Sequence, residues 1–285
     1  MSRITPLRRT AADHPVWTFL AVTVAYSAFV FGGFYAAFGT DLPSLTALPY
    51  AWGPLVAAGV TVWIVDESVR DWLGQLRNLR VGVHWYLVGA GIMLAGDELE
   101  GVVAVVLGAE VTGLLAPPAA YVVTFAVTLL LAGALEELGW RGFLQPRLQR
   151  RFGALAASVA VGLVWIVWHL PMIAAGVGNF AVFHEYALKL VAISILLAWL
   201  YNNTAGGLPV VMVAHASHNV PTLVGVSGGV PAVFGVVSGE LVFYWACALV
   251  VLLYASVQTL TSDGTLPEIP GRLTGASPRG TDSAD

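Results

Sequence analysis

Three short polar groups interrupt an otherwise apolar chain, and their residue types fit hydrolytic chemistry. The first is Glu136-Glu137-Leu138-Gly139-Trp140-Arg141. Adjacent side chains on a helix diverge by about 100°, so the two carboxylates cannot share one role. Glu137 and Arg141 stand at i,i+4 and can pair on one face. Glu136 then points elsewhere, where an unpaired carboxylate suits a general base. The second group is Trp165-Ile166-Val167-Trp168-His169-Leu170-Pro171. There Trp165 and His169 share a face, and Pro171 marks a helix end or kink. The third is His215-Ala216-Ser217-His218-Asn219. His215 and Asn219 at i,i+4 offer an imidazole and an amide that can both donate to a developing oxyanion. His218 falls off that face, where it could pack, bond a carbonyl or join a metal site. Taken singly, each group has a plainer explanation: a charge cluster at a helix end, an interfacial aromatic belt, or polar contacts between helices. Together they point to one polar cavity, provided that Glu136, His169 and His215 meet in space.

The elements that must position these residues follow from composition. The 285 residues are 58% hydrophobic and 11% charged, with a mean hydropathy of +0.79; soluble domains carry about 25% charged residues. This excludes a soluble enzyme, a disordered protein and a nucleic-acid binder, and indicates an all-α polytopic membrane protein. The net charge of −4 specifies no charged partner. The single cysteine, Cys247, excludes a disulfide framework or cysteine metal cluster within one chain and reads as a packing residue.

About eight apolar segments are expected to cross the membrane: Val16–Phe38, Leu48–Val65, His84–Leu107, Ala119–Leu135, Ala154–Trp168, Tyr186–Leu200, Leu208–Leu223 and Val237–Val257. The third is interrupted by Asp97, Glu98 and Glu100. With both termini cytoplasmic, every basic residue except Lys189 falls in an inner loop or tail: Arg3, Arg8, Arg9, Arg70, Arg77, Arg80, Arg141, Arg147, Arg150, Arg151, Arg272 and Arg279. That is the distribution expected of a multi-pass cell-membrane protein, and it puts Glu136 at the inner end of the fourth segment, opening towards the cytoplasm or inner leaflet. Asp66–Arg80 has Trp72, Leu73, Leu76 and Leu79 at helical spacing among charges, an interfacial amphipathic helix. The expected organisation is a cytoplasmic tail over 1–15, one membrane domain over 16–260, and a disordered Gly/Pro/Ser-rich tail over 261–285.

In these three motifs the chain resembles the CPBP family of intramembrane proteases, which includes the CAAX prenyl endopeptidases and ABI-type bacteriocin-processing proteins. The family carries Glu-Glu-x-x-x-Arg, aromatic-x-x-x-His and His-x-x-x-Asn in that order. Here they read Glu136-Glu137…Arg141, Trp165…His169 and His215…Asn219, within residues 121–223. Gly142-Phe143-Leu144 and Gly206-Gly207-Leu208-Pro209 extend the likeness; Trp165 stands where the family often has Phe. The resemblance implies that Glu136 with His169 activates a water. His215 and Asn219 would stabilise the oxyanion, while Glu137 and Arg141 hold the helix end. It implies a membrane-anchored peptide or protein as substrate, prenylated in the CAAX branch, and the bilayer as surroundings. A divalent metal such as zinc could take Glu136, His169 and His215 as ligands. Glu136 cannot easily be both ligand and base, however, and no His-Glu-x-x-His motif is present, so a metal-independent glutamate mechanism is favoured. The competing readings are a transporter or proton relay built on Asp97, Glu98 and Glu100, and a non-enzymatic bacteriocin-immunity protein of the same fold.

Overall fold

In a computed structural model, residues 6–177, 182–227 and 237–271 are described, apart from the side chains of Leu7 and Glu100. The chain is helical throughout: α1 (Pro6–Asp13), α2 (Pro15–Phe38), α3 (Ala47–Ala51), α4 (Gly53–Ile64), α5 (Val69–Gly74), α6 (Val83–Val106), α7 (Pro118–Leu131), α8 (Glu137–Gly139), α9 (Gln145–Phe152), α10 (Ala154–Ala174), α11 (Phe183–Asn203), α12 (Leu208–His218) and α13 (Gly239–Tyr254). Among the described residues the one sheet is a two-stranded antiparallel ribbon, β1 (Val111–Leu114) with β2 (Val224–Val226). It ties the loop before α7 to the loop after α12.

The polarity is that of a membrane protein. Phe29, Val106 and Leu253 are each 79% exposed, whereas Glu137 and Arg141 are 0% exposed. In water such a surface would be a liability; against lipid it costs nothing. Five helical stretches are long and apolar enough to cross a bilayer by length and composition: Pro15–Phe38, Ser44–Ile64, Pro118–Phe152, Ala154–Ala174 and Phe183–Asn203. Each of the eight expected segments is helical, but the remaining three differ. The 24-residue α6 carries the acidic run. The 16-residue α13 is short. Helix α12 ends at His218 after 11 residues, about 16 Å of rise, too short for the full hydrocarbon core.

The basic loops gather on one face of the bundle. Arg8 donates to the carbonyls of Trp63 and Ile64, Arg147 pairs with Glu67, and Asn78 donates to the carbonyls of Thr204 and Ala205. Two expectations change at this face. The segment 261–271, expected to be disordered, is docked: Arg150 donates to the Pro267 carbonyl at 2.7 Å, and Ser68 N–H donates to Gly271 at 2.9 Å. Arg272 and Arg279, like Arg3, lie outside the described residues, as does the rest of the tail. The expected amphipathic helix is the short α5 with a following 3-10 turn, Gln75–Arg77. Its Trp72 is buried and donates to Leu138, and its Gln75 donates to Gly142. That surface element is therefore anchored in the protein, with Leu73 and Leu79 left outward.

Candidate active site

The site begins with a break in a long helix. Ala132 (φ −133°, ψ −130°) ends α7, and Gly133–Glu136 form a 3-10 turn. The single turn α8 and a π-helix, Trp140–Leu144, lead into α9. Short 3-10 and π segments inside helices recur at functional sites because they re-aim side chains. Gly139 lets this region pack tightly on α4, since a Cβ there would lie 2.4 Å from the Pro54 carbonyl oxygen. The helical run continues past Glu136 to Phe152. Arg147 is eleven residues further on, about 16 Å of helix. Arg141, counted with the loops, is instead wholly buried. His169 lies fifteen residues from the start of α10 and five from its end at Ala174. Helix α10 runs through Pro171 for one further turn.

Glu136 and Glu137 are held differently, as their angular separation requires. Oε2 of Glu136 accepts the indole N–H of Trp165 at 2.9 Å and of Trp140 at 3.2 Å. Both oxygens of Glu137 accept from Nη1 of Arg141, at 3.1 and 3.0 Å. Oε1 of Glu137 also lies 2.7 Å from Nδ1 of His215. Nη2 of Arg141 donates to Ser194 Oγ at 3.0 Å, and Ser194 donates to the Ser158 carbonyl. A carbonyl only accepts, so the 2.9 Å contact from Nδ1 of His169 to the Trp165 oxygen puts a proton on Nδ1. In the neutral ring Nε2 is then the acceptor.

Trp165 is the platform on which the three motifs meet. Its N–H holds Glu136, and its ring centroid is 6.1 Å from that of His169 and 5.4 Å from that of His215. The Arg141 guanidinium lies 5.1 Å from the same ring. Asn219 caps α12 and donates its side chain to the His215 carbonyl at 3.1 Å. It is exposed where Glu136 and His215 are buried. Glu136, His169, His215 and Asn219, with Glu137, Arg141 and Trp165 around them, are therefore brought together. Three supporting residues went unread in the sequence. Trp140 sits one turn from Glu136, a spacing that could have shown it. A Cβ on Gly133 would lie 2.8 Å from Nε2 of His215 and 3.6 Å from Nδ2 of Asn219, so that glycine keeps open the space both donors face. Ser194 comes from α11, and no local signal marks it.

Among the described residues, one group of three His, Cys, Asp or Glu ligand atoms lies within a mutual 4.8 Å, and it is Asp97, His218 and Glu240. The ligand atoms of Glu136, His169 and His215 do not all lie within that distance of one another. Of the acids in α6, Asp97 meets His218 at 3.0 Å, and Glu98 accepts the Leu223 N–H; the side chain of Glu100 lies outside the described residues.

Comparison with known proteins converges on the same residues. Pro118–Pro221, about a third of the chain, matches the family model for type II CAAX prenyl endopeptidase Rce1-like proteins. A curated relative, CAAX prenyl protease 2 of Methanococcus maripaludis, is 32% identical over 80 residues, 25% of this chain and 30% of that protein. The chain thus spans under a third of that relative's length in the match. Through the segment that carries all three motifs, this chain is similar to the type II CAAX prenyl endopeptidase Rce1-like proteins.

Proposed function

We propose that the protein is an intramembrane endopeptidase that hydrolyses a peptide bond in a membrane-anchored, prenylated protein or peptide, using water activated by Glu136. The observation that carries this reading is the contrast between the two carboxylates. Glu137 is spent on Arg141 and His215, whereas Glu136 is buried and fixed through one oxygen by two neutral indole donors. Its other oxygen is the base. A water donates one hydrogen to Oε1 of Glu136 and is oriented by Nε2 of His169. Glu136 takes the proton as the oxygen attacks the peptide carbonyl carbon. The oxyanion accepts from Nδ2 of Asn219 and from Nε2–H of His215, whose ring is held at Nδ1 by Glu137. Glu136 then delivers the proton to the leaving nitrogen as the C–N bond breaks. No step requires a metal.

Support for this substrate class comes from the likeness to CAAX prenyl endopeptidases and from an apolar cavity of about 690 Å³ between α2 and α10. It is lined by Ala28, Phe31, Val164, Trp168 and Pro171 among others, and Trp168 stacks edge-on to His169 at 4.7 Å. An isoprenoid chain lying there would bring its cysteine beside the reacting groups. Cleavage of a farnesylated CAAX-type peptide and its unprenylated twin in lipid nanodiscs, followed by mass spectrometry, tests the reading. Ala28→Trp should fill the cavity and raise KM for the farnesylated peptide about tenfold or more, since losing even a few buried methylenes costs over 1 kcal/mol. The unprenylated peptide should be unaffected. Equal loss on both peptides would refute the placement of the prenyl chain.

Gly133→Ala should lower kcat about 100-fold, the scale of a 1 Å displacement of a reacting group, with little change in thermal stability. Full activity in that variant would remove His215 and Asn219 from the oxyanion site. By the excess of arginine on one face, that face and both termini are cytoplasmic. Membrane-impermeant labelling of an Arg150→Cys variant tests the orientation, and labelling from outside intact cells would reverse it.

A further inference from the structure

Two features stand outside the proposed reaction: His218, which is off the His215–Asn219 face, and Asp97, which interrupts α6. The fold joins them. We propose that Asp97, His218 and Glu240 form a divalent-metal site separate from the Glu136 centre. The three come from α6, α12 and the first turn of α13, and their ligand atoms lie within 4.8 Å of one another. Oδ1 of Asp97 lies 3.0 Å from Nδ1 of His218 and accepts from the Tyr244 hydroxyl at 3.1 Å. Oδ2 of Asp97 is buried and has no hydrogen-bond partner among the described residues. A buried carboxylate oxygen without a donor is costly, and a cation beside it removes that cost. Lys189 neutralises one carboxylate, donating to Oε1 of Glu240 at 2.6 Å.

One imidazole nitrogen and two carboxylates suit zinc, cobalt or manganese, with water completing the shell. The Tyr244 hydroxyl lies 3.1 Å from Asp97 and 3.2 Å from Nδ1 of His218 and donates to the Met93 carbonyl at 2.9 Å. It therefore orients two of the ligands from outside the ion. The ion's task would be structural. His218 is one helical turn beyond His215 and adjoins Asn219, so a clamp from α12 to α6 and α13 fixes the helix end that carries both oxyanion donors. A chelator would then slow the enzyme although no metal touches the substrate.

The full-length protein in nanodiscs, stripped with chelator and reloaded with Zn²⁺ or Co²⁺, decides the matter by metal content and Co²⁺ absorption, independently of proteolysis. One ion per chain is expected, bound at least tenfold more weakly by Asp97→Asn and by His218→Gln and retained by His169→Gln. Tyr244→Phe, which keeps all three ligands, should still bind and guards against variants that merely misfold. Reloading should also raise the melting temperature of the wild type and of His169→Gln. A wild type that takes up no ion overturns the proposal. So do ligand variants that bind as tightly as the wild type, or an ion lost with His169→Gln, which would place it at the catalytic centre.

Discussion

Glu136→Gln is expected to lower kcat by about 10²–10⁴-fold, the usual contribution of a positioned general base, while the protein folds and inserts as before. The amide is nearly isosteric, and its oxygen can still accept the N–H groups of Trp140 and Trp165 that hold Glu136. What it cannot do is take a proton from water. KM should change little, because the side chain meets the water rather than the bulk of the substrate. Single-turnover cleavage of a farnesylated peptide, with a melting curve on the same sample, checks both halves. Cleavage within tenfold of wild type would show that the base is elsewhere, whereas joint loss of folding and activity would recast Glu136 as structural.

Arg141→Met should cost about 3–5 kcal/mol of stability, the range for removing one partner of a buried ion pair. Arg141 is wholly enclosed; it holds Glu137 with one nitrogen and Ser194 with another, and it lies over Trp165. Its loss leaves the Glu137 carboxylate with His215 alone and removes the bond that ties this segment to Ser194 of α11. The double variant Glu137→Gln/Arg141→Met removes both charges, so it should recover a substantial part of the stability. It should not recover activity, because His215 loses the carboxylate that orients it. Denaturant unfolding in micelles measures the first effect and peptide cleavage the second. A single-variant cost below about 1 kcal/mol would mean that water or lipid headgroups reach the guanidinium.

Helix content, the membrane class and the chemical groups were legible because they depend on local quantities. Apolar runs report burial in lipid, and i,i+4 spacing reports a shared helix face, as with Glu137 and Arg141. What failed to read was the length of the helical run that carries Glu136, which extends from Pro118 to Phe152. The sequence places Glu136 at the end of an apolar run, where a helix would be expected to leave the bilayer. In the structure the run continues through buried polar residues, and Arg141, Gln145 and Gln149 each bond a partner from another element or one turn away. Hydropathy cannot show such partners. The ordered segment 261–271 was missed for a related reason: its composition is that of a free tail, but Arg150 and Ser68 provide the bonds that dock it.

By itself the sequence determined that this is an all-α membrane protein with a Glu/His/His-Asn constellation of the CPBP type, because residue type and helical period are properties of the chain alone. Only the tertiary structure decided that Glu137 orients His215 and that Trp140 and Trp165 grip Glu136. It also decided that Gly133 leaves room before the oxyanion donors, and that Asp97, His218 and Glu240 meet. Each of these joins residues through a backbone break or across separate helices. Their distances depend on how the helices pack, which no spacing within one helix encodes.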